Sequence, residues 1–396
     1  MSLIGDPSPK ARRGILMLAL ATFVMLGLAD GSLGVAWPSL RGEFDRGISE
    51  LGALLAFGSV GYLTASTAYG RVHSRLGTGA AIGMGCFLMT FGLLGVGLAP
   101  VWLVVALSTL FLGLGGGLVD SGMNAHAALE FDVRSINLLH ASYGVGATLG
   151  PVLITISLTA GAAWRGGYLF LAMSQVGIAL AVWNSRSRWT SRPDDPDEGQ
   201  QVAVRRRRIL LMLSLFFVYT GTEVAVGQWA YTLLSEGRGM STAVAGTWVA
   251  AYWGGLTAGR LLVSIFGGRV TPSRTLNGSV VMALLGVGFL WWNPAGVGFA
   301  ALPIAGIGFA AIFPTLISLT PARIGRDRST RMVGYQLAAA NLGVASIPWA
   351  LGLLAQAYGL AVLGPGLLGA TMALAILNFW ADRSPAEGVH RNKQGS

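Results

Sequence analysis

Three carboxylates occupy positions where carboxylates are rare. Asp30, Asp120 and Glu223 each lie inside a long apolar run, while the other members of the 17 acidic residues fall in loops or near the ends of apolar blocks. A charge at bilayer depth is costly, so such residues face a protein interior or a watery cavity and mark paths for protons or polar solutes. A carboxyl group there can take up and release a proton as its access to water alternates. His140 opens the apolar run after Asp120, near enough in depth to pair with it. We therefore expect Asp30, Asp120, Glu223 and His140 to be proton-coupling residues, with Asp120 the main carrier and His140 modulating it. Other chemistries find no support. The single cysteine, Cys86, allows neither an intrachain disulfide nor a thiol metal cluster. His73, His126, His140 and His390 lack metal-ligand spacing, and Gly115–Gly117 is followed by no G-K-[ST], so it is no phosphate loop. With no nucleophile–base pair either, we expect no enzyme, cofactor or metal.

The elements that hold these residues are membrane helices. Of 396 residues, 53% are hydrophobic and 11% charged, with mean hydropathy +0.62; a soluble domain carries about 25% charged residues. Apolar blocks predict twelve spans, near 14–40, 50–70, 79–98, 101–126, 137–160, 167–184, 209–235, 242–267, 273–292, 296–320, 330–358 and 361–381. After Arg12 and Arg13, the run before the cleavage-like Ala19-Leu20-Ala21 is only Ile15–Leu18, too short for the apolar core of a leader, and it continues to Leu28, so it reads as the first retained span. With the N-terminus in the cytoplasm, most Lys and Arg fall inside, among them Arg71, Arg75, Arg134, Arg205–Arg208, Arg269 and Arg274. Only Arg41, Arg46, Arg165 and Arg238 fall outside, as the positive-inside rule requires. Both termini are expected in the cytoplasm of a plasma (inner) membrane protein. The net charge of +10 thus sets topology and does not imply nucleic acid. The basic run Arg205–Arg208 reads as a topology signal or a contact for anionic lipid.

The two sets of six spans echo each other. Asp30 and Trp37 in span one correspond to Glu223 and Trp229 in span seven. Gly61-Tyr62-Leu63-Thr64-Ala65 up to Gly70-Arg71 in span two corresponds to Tyr252–Arg260 in span eight. Spans four and ten are Gly-rich, at Gly113–Gly117 and Gly306–Gly308, and spans five and eleven carry small-residue stripes ending at Pro151 and Pro348. Small residues let membrane helices approach closely. The expected organisation is an N-terminal bundle over 1–184, a cytoplasmic linker over 185–208 and a C-terminal bundle over 209–396.

This layout resembles the major facilitator superfamily. Gly115–Asn124 resembles the acidic fourth helix of its fucose–galactose–hexose branch, whose members include an L-fucose–proton symporter. Asn137–Gly146 resembles that branch's fifth helix, Gly308–Thr315 its tenth, and Tyr219–Trp229 the seventh of some relatives. The loop between spans two and three departs from the superfamily's G-x-x-x-D-R-x-G-R/K: it reads Gly70–Thr78, with Ser74 in the aspartate position and Thr78 in that of the last basic residue. The resemblance implies an all-α membrane protein, twelve transmembrane helices in two pseudo-symmetric six-helix bundles. It also implies a solute site near mid-depth between halves that rock to alternate access.

Sugar sites combine aromatic platforms with amides and hydroxyls. The candidates are Trp37, Asn124, Tyr143, Tyr219, Gln228, Trp229, Tyr252, Trp253, Gln336 and Asn341. Trp37 and Trp229, near outer helix ends, suit an interfacial belt equally well. Asp30 and Glu223 are expected to face each other across the cavity, Asn124 to lie one turn from Asp120, and Arg260 to extend toward the headgroups or to pair with a carboxylate. The function expected is proton-coupled symport of a small polar solute such as a sugar, by a monomer in the lipid bilayer, with Na+ an alternative coupling ion. Export of amphipathic compounds against protons is the competing expectation, since twelve Met and twelve Trp would suit a greasy cavity.

Overall fold

The computed structural model describes residues 9–189, 206–266, 269–324 and 326–382. Most of the expected linker, including Arg192–Gly199 and Arg205, lies outside the described residues. Thirteen α-helices run through the described residues: α1 Pro9–Glu43, α2 Glu50–Leu76, α3 Thr78–Leu98, α4 Trp102–Glu130, α5 Val133–Thr159, α6 Ala163–Asn184, α7 Arg206–Ser235, α8 Thr242–Phe266, α9 Pro272–Trp292, α10 Leu302–Ala310, α11 Ile312–Ile324, α12 Arg326–Tyr358 and α13 Leu363–Asp382. Several overrun their apolar blocks, because a helix leaving the bilayer keeps its internal hydrogen bonds without needing apolar side chains. Thus α2 continues through Arg71, His73 and Arg75, and Arg206–Arg208 open α7 instead of ending the linker. Asp132 caps α5, accepting the Ser135 N–H at 2.9 Å, and the Ser135 side chain together with that N–H holds its carboxyl below the usual range.

One expected span is broken. The tenth block forms α10 and α11 with a break at Ala311. Pro314 has no N–H to give the Ala310 carbonyl, and its ring crowds that oxygen. Eleven helical stretches among the described residues are long and apolar enough to cross a membrane. The remaining span, α8, is long enough at 25 residues but is diluted by Arg260 and four glycines. Large apolar side chains such as Met173, Leu285 and Trp292 stand about two-thirds exposed on the outer surface, the pattern of a multi-pass membrane protein whose solvent is lipid.

Packing repeats the sequence symmetry. In the first half α1 pairs with α5, α2 with α4, and α3 with α4 and α6. In the second half α7 pairs with α12, α8 with α10, and α9 with α10 and α13. Glycine sets the closest crossings. A Cβ on Gly146 would overlap the main-chain oxygen of Val24 on α1, and one on Gly343 that of Phe217 on α7. Backbone cannot yield as a side chain can, so Gly146→Leu is expected to cost about 1–3 kcal/mol or more. It should deplete monodisperse protein after detergent extraction, whereas Gly177→Leu, which meets nothing within 4 Å, should extract normally. Equal yields would refute this account of the crossing.

Candidate functional site

Between the two sets of helices lies a cavity of about 1540 Å³, lined by residues of α1, α2, α4, α5, α7, α8, α11 and α12 among others. The halves touch through α1 with α7, α2 with α12, and α5 with α8. One end of the cavity is sealed. There Arg41 Nη2 meets Glu236 Oε2 at 2.6 Å, the Ser49 hydroxyl donates to Gln356 Oε1 at 2.5 Å, Gly52 packs on Trp349, and Gly246 on Thr155. Toward the other end the lining continues to Arg134, Ile265 and Ser318, and the cross-half contact of Asn137 Nδ2 with Ser264 Oγ is long at 3.5 Å. The sealed end is the one that the arginine distribution assigns to the outside.

All three intramembrane carboxylates line this cavity, and each accepts a hydrogen bond from a tyrosine hydroxyl. On α1, Asp30 Oδ2 accepts from Tyr143 of α5 at 2.9 Å. On α4, Asp120 Oδ2 accepts from Tyr62 of α2 at 2.5 Å, while Asn124, one turn on, donates to Asp120 Oδ1 at 2.9 Å. On α7, Glu223 Oε2 accepts from Tyr219 one turn earlier, and Glu223 Oε1 lies 3.5 Å from the Arg260 guanidinium. Such a pairing satisfies the carboxylate without fixing its charge: a protonated carboxyl can donate where it accepted, with only a phenol rotation. His140 lines the same cavity, edge-on to Phe23 at 5.9 Å, with Asp120 in electrostatic reach.

Of the residues expected to contact solute, the cavity wall includes Asn124, Tyr143, Tyr219, Gln228, Trp253 and Asn341. Gln228 joins the halves, its Nε2 donating to the Asp30 main-chain oxygen at 3.1 Å. Four others are corrected. Trp37 is fully buried against Trp102, ring centroids 6.1 Å apart. Trp229 is fully buried and donates to the Pro348 carbonyl at 3.0 Å. Neither lines the cavity, and neither, being fully buried, joins an interfacial belt. Tyr252 is buried behind the wall, its hydroxyl on the Glu223 main-chain oxygen at 2.7 Å. Gln336 is spent on Thr320, Nε2 to Oγ1 at 3.1 Å, tying α12 to α11. Trp229, Tyr252 and Gln336 answer the same rule, that a buried polar group takes a partner, and backbone or a neighbouring hydroxyl supplied it, whereas Trp37 is held by ring packing alone, its Nε1 finding no acceptor among the described residues. Arg260 pairs with Glu223 inside the protein instead of extending to the headgroups. Tyr62 was not anticipated, although a phenol in an apolar helix signals a partner.

Comparison with known proteins agrees with this fold. The sequence profile described as the Major Facilitator Superfamily matches residues 18–348. The chain is 24% identical over 297 residues to "Sodium-dependent glucose transporter 1" of Homo sapiens, covering 65% of this chain and 57% of that protein. It is 27% identical over 248 residues to a "Glucose/galactose transporter" of Brucella abortus, covering 58% and 59%. The chain thus spans somewhat over half the length of each. Among solved structures, the nucleoside transporter NupG superposes with TM-score 0.78 at 11% identity, over 94% of this chain and 99% of that one. On the profile match, which takes in five-sixths of its length, this chain belongs to the Major Facilitator Superfamily.

Proposed function

We propose that the chain is a secondary transporter that carries a sugar or similar small polyhydroxylated solute together with a proton, by alternating access. The observation that carries this reading is the set of three carboxylate–tyrosine pairs on one cavity between the halves. Residues 1–184 and 209–396 act as two rocking bodies. Asp30, Asp120, Glu223 and His140 handle the proton, and Asn124, Tyr143, Tyr219, Gln228 and Asn341 contact the solute. The protein works as a monomer in the lipid bilayer of the plasma (inner) membrane, with both termini in the cytoplasm, so the sealed end faces out. Curated relatives named for glucose and galactose support the solute class. One is named sodium-dependent, so Na+ is the ion to test beside H+.

The test uses purified protein in liposomes, with a panel of sugars and of amphipathic drugs, following external pH. Adding one sugar outside should draw protons inward and make the outside alkaline. The same sugar driven only by a Na+ gradient would reassign the coupling ion. Drug-driven proton exchange with no response to any sugar would overturn the reading in favour of an exporter.

A further inference from the structure

The Tyr62 hydroxyl that donates to Asp120 has a second hydroxyl beside it on its own helix. We propose that Tyr62 and Ser66 on α2 are positioning residues for the proton step at Asp120, the phenol giving its hydrogen to the carboxylate when Asp120 is charged and to Ser66 Oγ when Asp120 is protonated. The inference rests on the proton-symport reading above and adds to it the residues that let the carrier change charge without stranding a buried polar atom.

Asn124 settles which oxygen takes the proton. Its Nδ2 donates to Asp120 Oδ1 and to the Asp120 main-chain oxygen, both at 2.9 Å. Both amide hydrogens are thus committed, and Oδ1 stays an acceptor. Oδ2 is left to titrate, and Oδ2 is the atom that accepts from Tyr62 at 2.5 Å. Once Oδ2 carries a proton, two hydrogens would lie between it and the phenol oxygen unless the phenol hydrogen turns away. Ser66 is where it can go. It stands one turn along α2 from Tyr62, close enough to act on the phenol. Its Oγ is sealed from water and has no hydrogen-bond partner among the described residues. Thr64 and Thr67 on the same helix each give their hydrogen to the carbonyl one turn back; Ser66 does not. Buried polar atoms almost always have partners, and the phenol hydrogen is the donor that stands beside this one. Tyr62 lines the cavity and Ser66 does not, so the hydrogen turns from the cavity wall toward the protein interior.

Every proton is accounted for. A proton from cavity water forms the O–H bond at Asp120 Oδ2, that group donates to the phenol oxygen, and the phenol hydrogen turns to Ser66 Oγ. Release of the proton to water on the other side reverses all three steps, and Tyr62 keeps its own hydrogen throughout. Asp30 from α1 and His140 from α5 act on Asp120 through space. Tyr69 of α2 meets α4 beyond Asp120, at Gly122. The remaining neighbour, α3, carries no Asp, Glu, Lys, Arg or His.

The test is the pH dependence of sugar uptake into liposomes, with D-glucose and D-galactose as probes and counterflow showing which variants fold. A carboxylate that loses a donor holds its proton more tightly. Tyr62→Phe should therefore move the external pH of half-maximal uptake upward by roughly one to two units, the size of one hydrogen bond to a charged group. Ser66→Ala keeps that donor and removes the acceptor that the protonated form needs. It should move the profile the opposite way, downward by roughly half a unit to one unit. The double variant should match Tyr62→Phe alone, because Ser66 acts through the phenol. A role in packing alone would give no such opposed pair. If Tyr62→Phe fails to fold, the downward shift in Ser66→Ala still decides; if Ser66→Ala fails, Ser66→Cys, whose thiol is a weak acceptor, carries the same expectation. An unmoved profile in folded Ser66→Ala, or a shift in the same direction as Tyr62→Phe, would overturn the positioning role and leave the symport reading intact. Wild-type protein that carries neither sugar, or carries one without regard to a proton gradient, would overturn both.

Discussion

Asp120→Asn is expected to leave sugar exchange running and to stop accumulation: counterflow persists at near the wild-type rate, while uptake driven by a proton gradient halts when the inside concentration equals the outside. Asp120 suits this role better than its two counterparts because its partners form a self-contained set. Tyr62 and Asn124 each donate to one carboxylate oxygen, and Asn124 also donates to the Asp120 main-chain oxygen at 2.9 Å. With asparagine at 120, the Tyr62 hydroxyl still finds an oxygen and Asn124 keeps its main-chain acceptor, so the helix packing survives. What disappears is the ability to change charge. An amide cannot take up a proton on one side and give it up on the other, and a transporter that cannot carry the ion has no access to its gradient. Asp30→Asn offers the comparison: among the described residues its carboxylate has only the Tyr143 hydroxyl as a side-chain donor, and it is open to the cavity. Accumulation undiminished in Asp120→Asn, with the proton still moving, would assign the carrier elsewhere.

The parts of this site that were legible from the chain were those where cost betrays function. A carboxylate inside an apolar run is improbable enough to be noticed unaided, so Asp30, Asp120 and Glu223 stood out, and all three line the cavity. The spacing of Asp120 and Asn124 already implied their contact. Amphipathic side chains do not betray themselves in this way. Tyr252 and Trp253 are adjacent residues of similar character, yet the first turns its hydroxyl to the Glu223 backbone behind the wall and the second faces the cavity. A helix rotates by 100° per residue, and composition alone does not say which face meets the other half. Gln336 and Asn341 show the same ambiguity: one is consumed by Thr320, the other lines the cavity. The break in the tenth span hinged on Pro314, whose effect depends on the Ala310 carbonyl it excludes. The mirrored helix pairings, by contrast, followed the repeat that the sequence displays.

Arg260 takes the second of its two expected roles, pairing with a carboxylate, and it carries the second large effect. Glu223→Gln is expected to cost about 3–5 kcal/mol of stability, the range for stranding one member of a buried ion pair. Its place is toward the lower end, because the Arg260 side chain is 29% exposed to the cavity. The two partners are not equivalent. A guanidinium cannot shed its charge, so without Glu223 it must be satisfied by Tyr219 and by whatever water the cavity admits. The single amide oxygen of Gln would also have to serve both Tyr219 and Arg260, with its NH2 turned toward a donor. Arg260→Met is milder, about 1–2 kcal/mol, since the carboxyl left behind can take a proton and keep its Tyr219 bond. The double replacement removes both charges together and should therefore be more stable than Glu223→Gln alone. The check is the midpoint of thermal inactivation in detergent for the four proteins of this cycle. Losses that simply add would mean the 3.5 Å contact carries no coupling. A double variant that recovers stability but still fails to accumulate sugar would separate the two contributions of Glu223, one to holding the second half together and one to moving the proton.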